Sequence, residues 1–117
     1  DHYIEVDENV ITSDDYVYAA SLNSQESFTF LCPSNISGIK AVVLNSCATL
    51  DDTGTSKIKA LIRSGGSVYL GSIEFSLDTT SYWKTRQTIF ETDPDDSNPW
   101  TYTKINAAEF GIEITGV

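Results

Sequence analysis

The sequence predicts an all-β fold, a single antiparallel β-sandwich that is jelly-roll-like in its connections and carries one short helix near the C-terminus. Three observations lead there. Short runs with apolar residues at every second position recur along the chain, separated by turn residues. Nothing before the last twenty residues or so has the 3.6-residue apolar period of a helix. The 117 residues, 40% hydrophobic and 11% aromatic, suit one packed core and are too few for two ordinary domains.

Residues 3–6 form a weak first strand and residues 16–22 a better one, ended by a polar turn at Asn23, Ser24, Gln25 and Glu26. Residues 27–32 place Phe28 and Phe30 on one side and Thr29 and Leu31 on the other, and stop at Cys32-Pro33. Residues 39–48 are the most apolar run. Val42, Val43 and Leu44 there predict a central strand buried on both faces. An Asp51-Asp52-Thr53-Gly54-Thr55 turn follows. In residues 56–63, Ile58, Ala60 and Ile62 alternate with Lys57, Lys59, Leu61 and Arg63, the pattern of a half-buried strand. Ser64-Gly65-Gly66 supplies the positive-φ residues of a tight hairpin into residues 67–70. Ile73, Phe75 and Leu77 are expected on the inner side of the next strand, and residues 82–91 read as a long strand with less separable faces. Asn98-Pro99 then favours a turn, Trp100 is an aromatic anchor, and Thr103 is positioned to cap a helical turn over residues 104–109. Gly111 ends that turn or kinks the strand behind it. In that strand Phe110, Ile112 and Ile114 alternate with Gly111, Glu113 and Thr115.

Seventeen acidic residues against seven basic ones give a formal net charge of −10, which repels phosphate backbones and anionic bilayers. Neither nucleic acid nor a membrane is therefore an expected partner, and no run has the apolar length of a membrane-spanning helix. The amino terminus, Asp1-His2-Tyr3, lacks the basic and hydrophobic character of a signal segment. Charge is also uneven. Residues 1–15 read as an acidic arm that orders on assembly, and residues 16–117 as the sandwich domain. Asp1, Tyr3, Glu5 and Asp7 of the arm are candidate docking residues, with Lys57, Lys59 and Arg63 as a complementary basic set. Solvated strand faces would carry the same charges.

Catalytic parts are few. The sole histidine is His2, at the terminus, so an imidazole-based nucleophilic mechanism has nothing else to use. The carboxylates gather in turns, at Asp14-Asp15, Asp51-Asp52 and Asp93-Asp95-Asp96, where solvation keeps them ordinary rather than poised for acid–base work. The expectation is a non-enzymatic protein without a cofactor. Asp93, Asp95 and Asn98 are a weak candidate set for calcium, without the spacing of an EF-hand, and a metal-free polar loop is the plainer expectation. Cys32 and Cys47 are too few for a disulfide framework. Antiparallel neighbours can bring them together, although free thiols are the commoner state. Asn35-Ile36-Ser37 matches a glycosylation sequon, meaningful only in a secretory pathway. The remaining resource is aromatic: Tyr82 and Trp83 are the first candidates for a sugar-stacking platform, with Trp100, Tyr69 and Tyr102 among the other rings, and core packing as the competing role.

The closing segment, with Asn98-Pro99-Trp100-Thr101, Ile105-Asn106-Ala107 and Phe110-Gly111-Ile112, resembles the carboxy-terminal signature of small β-rich virion proteins of tailed bacteriophages. The likeness extends loosely upstream through residues 82–91 to the strand around Val42, and leaves out the first forty residues. It implies a virion structural protein: a capsid decoration or cement protein, or otherwise a tail or appendage component. The partners implied are capsid or tail proteins of the same virion, with a homo-oligomer such as a trimer as a further option. The resemblance brings no catalytic residue. The competing expectations are a carbohydrate- or receptor-binding module of a phage tail or fibre, and a secreted adhesion domain.

Overall fold

The computed structural model describes residues 19–50, 54–78, 80 and 83–117. Seven strands and one helix lie among these residues: β1 (Gln25–Thr29), β2 (Val42–Ala48), β3 (Ser56–Ser64), β4 (Ser67–Leu70), β5 (Phe75–Leu77), β6 (Lys84–Phe90), α1 (Tyr102–Ala107) and β7 (Glu109–Gly116). The acidic arm with Asp1, Tyr3, Glu5 and Asp7, the expected strand at residues 3–6, the Asp51–Thr53 turn and Tyr82 lie outside the described residues.

The fold is all-β and sandwich-like, with every strand pairing antiparallel. In the five-stranded sheet the order is β1-β7-β3, and β4 and β5 share the other edge of β3 end to end. The second sheet is β2 with β6. The first described strand thus pairs with the last, and the second with the sixth, so that β1, β2 and β3 alternate between sheets. The β3–β4 hairpin departs from the alternation. It turns through Gly65 and Gly66, both at positive φ (60° and 83°), as the sequence anticipates.

The core lies between the sheets. Ile62, Trp100, Ala108 and Phe110 are its buried centre, with Val42 and Leu44 of β2, Phe90 of β6, Ile39 and Ile105 packed against it. Trp100 and Phe110 meet at 5.9 Å between ring centroids. The Trp100 indole N–H donates to the Phe90 carbonyl at 3.0 Å, so the one polar atom of a ring only 2% exposed has a partner. Ile58, Ala60 and Ile62 face inward as their alternation requires, and Leu61, on the other side of β3, is also fully buried.

Five expectations are corrected. Residues 19–22, the described part of the strand expected over 16–22, form no strand. Gln25 and Glu26 belong to β1 rather than to a turn, because they pair with Glu113 and Ile112; the turn falls earlier, with Asn23 at φ 67° and Ser24 N–H donating to Ser21 O. Val43 is 47% exposed. Its neighbours Val42 and Leu44 pack on the core, so the two-residue period of the strand turns Val43 to the opposite, outward face. Ile73 is 54% exposed, since β5 begins only at Phe75. Thr101, not Thr103, caps α1: its hydroxyl accepts the Lys104 N–H at 3.2 Å. Burying Trp100 in the core places the helix start immediately after it, two residues earlier than the cap position read from sequence.

Candidate functional site

The C-terminal segment builds one end of the sandwich. Trp100 plugs the space between the sheets, Thr101 starts α1, and Asn106 on that helix holds a distant loop by its backbone. Asn106 Oδ1 accepts the Cys32 N–H at 2.6 Å while its Nδ2 donates to the Cys32 carbonyl at 3.1 Å. A turn with Ile36 N–H on Pro33 O continues that loop, and Gly38 at φ 66° redirects it so that Ile39 returns to the core. Between the loop and the start of α1 lies an open pocket of about 290 Å³. Ile36, Ile39, Trp100 and Tyr102 give it an apolar lining, and Ser34, Ser37 and Thr101 bring hydroxyl groups. Tyr102 is 37% exposed.

The outward face of β2 and β6 is a second feature. Its cross-strand pairs are Val43 with Ile89, Asn45 with Gln87 and Cys47 with Thr85. None of the six is charged, and Val43 and Ile89 are 47% and 63% exposed. Two β-branched apolar side chains held opposite one another and open to solvent are an uncommon surface on a chain of net charge −10.

The basic set falls elsewhere, on the outer face of the larger sheet, and it is engaged within the molecule. Arg63 donates to Gln25 Oε1 at 2.9 Å and to Ser27 Oγ at 3.4 Å, and lies 3.9 Å from Glu109. Gln25 in turn donates through Nε2 to the buried Glu113 carboxylate, and Ser27 Oγ donates to Glu109 at 2.7 Å. Lys59 sits cross-strand from Glu113. Lys57 is 3.7 Å from Glu74, whose carboxyl is held below its ordinary pKa by the Thr115 hydroxyl it accepts and by the nearby lysines. This face is a self-neutralising ladder rather than a bare basic patch.

Asp93, Asp95 and Asn98 lie on one tight loop whose ends meet at the Thr92–Pro99 bridge. Asp93 is only 4% exposed. Its Oδ1 accepts Ser64 Oγ–H at 2.8 Å and the Asp95 N–H at 3.0 Å, while the Asn98 carbonyl accepts the Asp93 N–H. Asp95 Oδ1 accepts the Tyr69 hydroxyl and the carboxylate lies against Gly65, where a Cβ would collide with it. The Lys104 ammonium of α1 reaches back to this loop, 2.6 Å from Asp96 and 4.0 Å from Asp93. Among the described residues, no three His, Cys, Asp or Glu side chains are grouped to hold a metal. The loop's carboxylates instead fasten the β3–β4 hairpin to the start of the closing segment.

Trp83 is half-buried just before β6 and interacts with its surroundings. Cys32 and Cys47 are free thiols, each half-buried. Among the described residues, no helix is long and apolar enough to cross a membrane. The Asn106 latch and the pocket it supports escape sequence reading because they join residues 74 positions apart. The local signals near that pocket were the aromatic rings of Trp100 and Tyr102 and the Ile36-Ser37 pair of the sequon, which sequence alone does not bring together. No family model, curated protein or solved structure matches the chain.

Proposed function

We propose that this protein is a non-enzymatic structural component of a tailed-phage virion, a capsid decoration or cement protein that acts by contact with neighbouring capsid or tail subunits. The observation that carries a contact role is the uncharged outer face of β2 and β6, with Val43 and Ile89 exposed as a cross-strand pair. Covering them removes apolar area from water without stripping solvent from a charge. A standard protein interface buries about 1,200–2,000 Å², so this pair is the centre of a larger patch rather than the whole of it. The virion assignment rests on the resemblance of the closing segment. Its residues agree with an architectural role, since Trp100 fills the core and Asn106 ties down a loop.

The test is incorporation into particles assembled without the protein. Val43→Lys and Ile89→Lys, made separately because the two side chains face each other and paired ammonium groups would repel, each place a charge on the proposed contact, and at exposed positions each should alter stability by no more than about 0.5 kcal/mol. Loss of incorporation by a variant that unfolds at the wild-type temperature is the expected result. Undiminished incorporation rejects the contact face, and failure of the wild-type protein to bind any such particle rejects the virion assignment.

A further inference from the structure

We infer that the pocket between the residue 33–39 loop and the start of α1 is a binding site for a single neutral pyranose ring. The chemistry of the lining selects that class. Tyr102 offers an aromatic ring that is 37% exposed, a surface against which the C–H face of a sugar can stack. The hydroxyls of Ser34, Ser37 and Tyr102 have no protein partner among the described residues. Thr101 Oγ1 accepts the Lys104 N–H at 3.2 Å and so keeps its own hydrogen for donation. Hydroxyl groups that both donate and accept around an apolar wall match a ligand whose own rim is made of hydroxyls.

Charge narrows the choice further. No acidic or basic side chain lines the pocket, so nothing there pairs with an ionic ligand, and the net charge of −10 disfavours anions throughout. Size sets the upper bound. At about 290 Å³ the pocket stands at the lower limit of ordinary ligand sites, roughly 300–1,000 Å³, with room for one ring rather than a peptide.

The walls are also held in place before any ligand arrives. Trp100 is fixed by its bond to the Phe90 carbonyl, and the loop by the two bonds of Asn106 to the Cys32 backbone. Ile39 anchors the far end of the loop in the core. A preformed site loses less entropy on binding, which matters for a ligand this small. The site is separate from the β2–β6 face, so the proposal stands or falls independently of the virion reading.

Amide chemical shifts of the full chain, titrated with glucose, galactose, mannose and N-acetylglucosamine to millimolar concentration, test it. At least one sugar should give saturable shifts concentrated at residues 34–39 and 101–102. Tyr102→Ala should weaken that binding about tenfold while Tyr102→Phe retains it, the stacking surface being shared by the two rings. Ser37→Trp, a change at an exposed position, should block the pocket without unfolding the protein. Silence with all four sugars, shifts centred elsewhere, or binding by the wild-type protein that survives both Tyr102→Ala and Ser37→Trp overturns the inference.

Discussion

Gly111 shows how one missing side chain fixes the larger sheet. It occupies the middle of β7, opposite Ser27 of β1 and Leu61 of β3, and a Cβ built there would run into the Glu26 backbone carbonyl. Its role is close approach of two strands, not a positive-φ turn. The sequence suggested a kink or stop at this position, and the alternation of Phe110, Ile112 and Ile114 around it identified the strand correctly. Gly111→Ala must therefore push β1 and β7 apart. We expect a loss of about 1–3 kcal/mol in urea unfolding, as overpacking typically costs. Leu61 is the complementary case, wholly buried on the side of β3 that also carries Lys59 and Arg63. Leu61→Ala should cost about 2–5 kcal/mol, and a smaller value would mean that the site collapses around the shortened side chain.

At the scale of elements, α1 is a six-residue helix whose value lies in what it fastens. A helix this short is marginal by itself. Lys104 reaches back to the residue 93–98 loop, and Asn106 reaches across to Cys32. Removing Asn106 by substitution with Ala should quicken hydrogen exchange at the Cys32 amide, with a local loss of about 1–2 kcal/mol from its two bonds and little change in the global unfolding temperature. The Lys104 contact makes a pH prediction. Hydrogen bonding to the ammonium holds the Asp96 carboxyl below its ordinary value of 3.8, so the folded state binds its proton less readily than the unfolded chain does. The stabilisation is then fully present above that value and is lost as pH falls through the lower folded pKa. Lys104→Ala should accordingly show a smaller drop in urea midpoint between about pH 6 and about pH 3 than the wild-type protein does. Local patterns made much of this legible: strands were read where β2, β3, β4, β6 and β7 stand, alternation showed in β3 and β7, and Gly65-Gly66 gives the hairpin. What was not legible depends on neighbours. Val42, Val43 and Leu44 read alike along the chain, and only the packing of Val42 and Leu44 on the core shows that Val43 is the one turned outward. Of the two threonines near Trp100, burial of the indole selects Thr101 as the cap.

For the whole molecule the decisive quantity is where charge is already balanced. The chain carries −10 overall, yet Lys57, Arg63, Lys84 and Lys104 each have a carboxylate within 4.0 Å. Docking through Lys57, Lys59 and Arg63 would have to break or share contacts that the outer face of the larger sheet already makes. Docking through Val43 and Ile89 breaks none of them. These alternatives differ in salt dependence, because exposed charge pairs are screened over about 10 Å at 0.1 M salt and about 3 Å at 1 M, whereas apolar burial is not. Attachment through the β2–β6 face should therefore keep its dissociation rate as salt rises from about 0.05 M to about 0.5 M, with at most a change in association rate from the acidic surface. Deleting residues 1–15, which hold six of the seven carboxylates that precede Lys40, separates the contribution of the arm. If the arm docks by charge, its removal should abolish the salt-sensitive part of binding to particles and leave the unfolding temperature of the remaining domain in place. A steep rise in dissociation rate with salt that survives this deletion would assign the contact to Lys57, Lys59 and Arg63 instead.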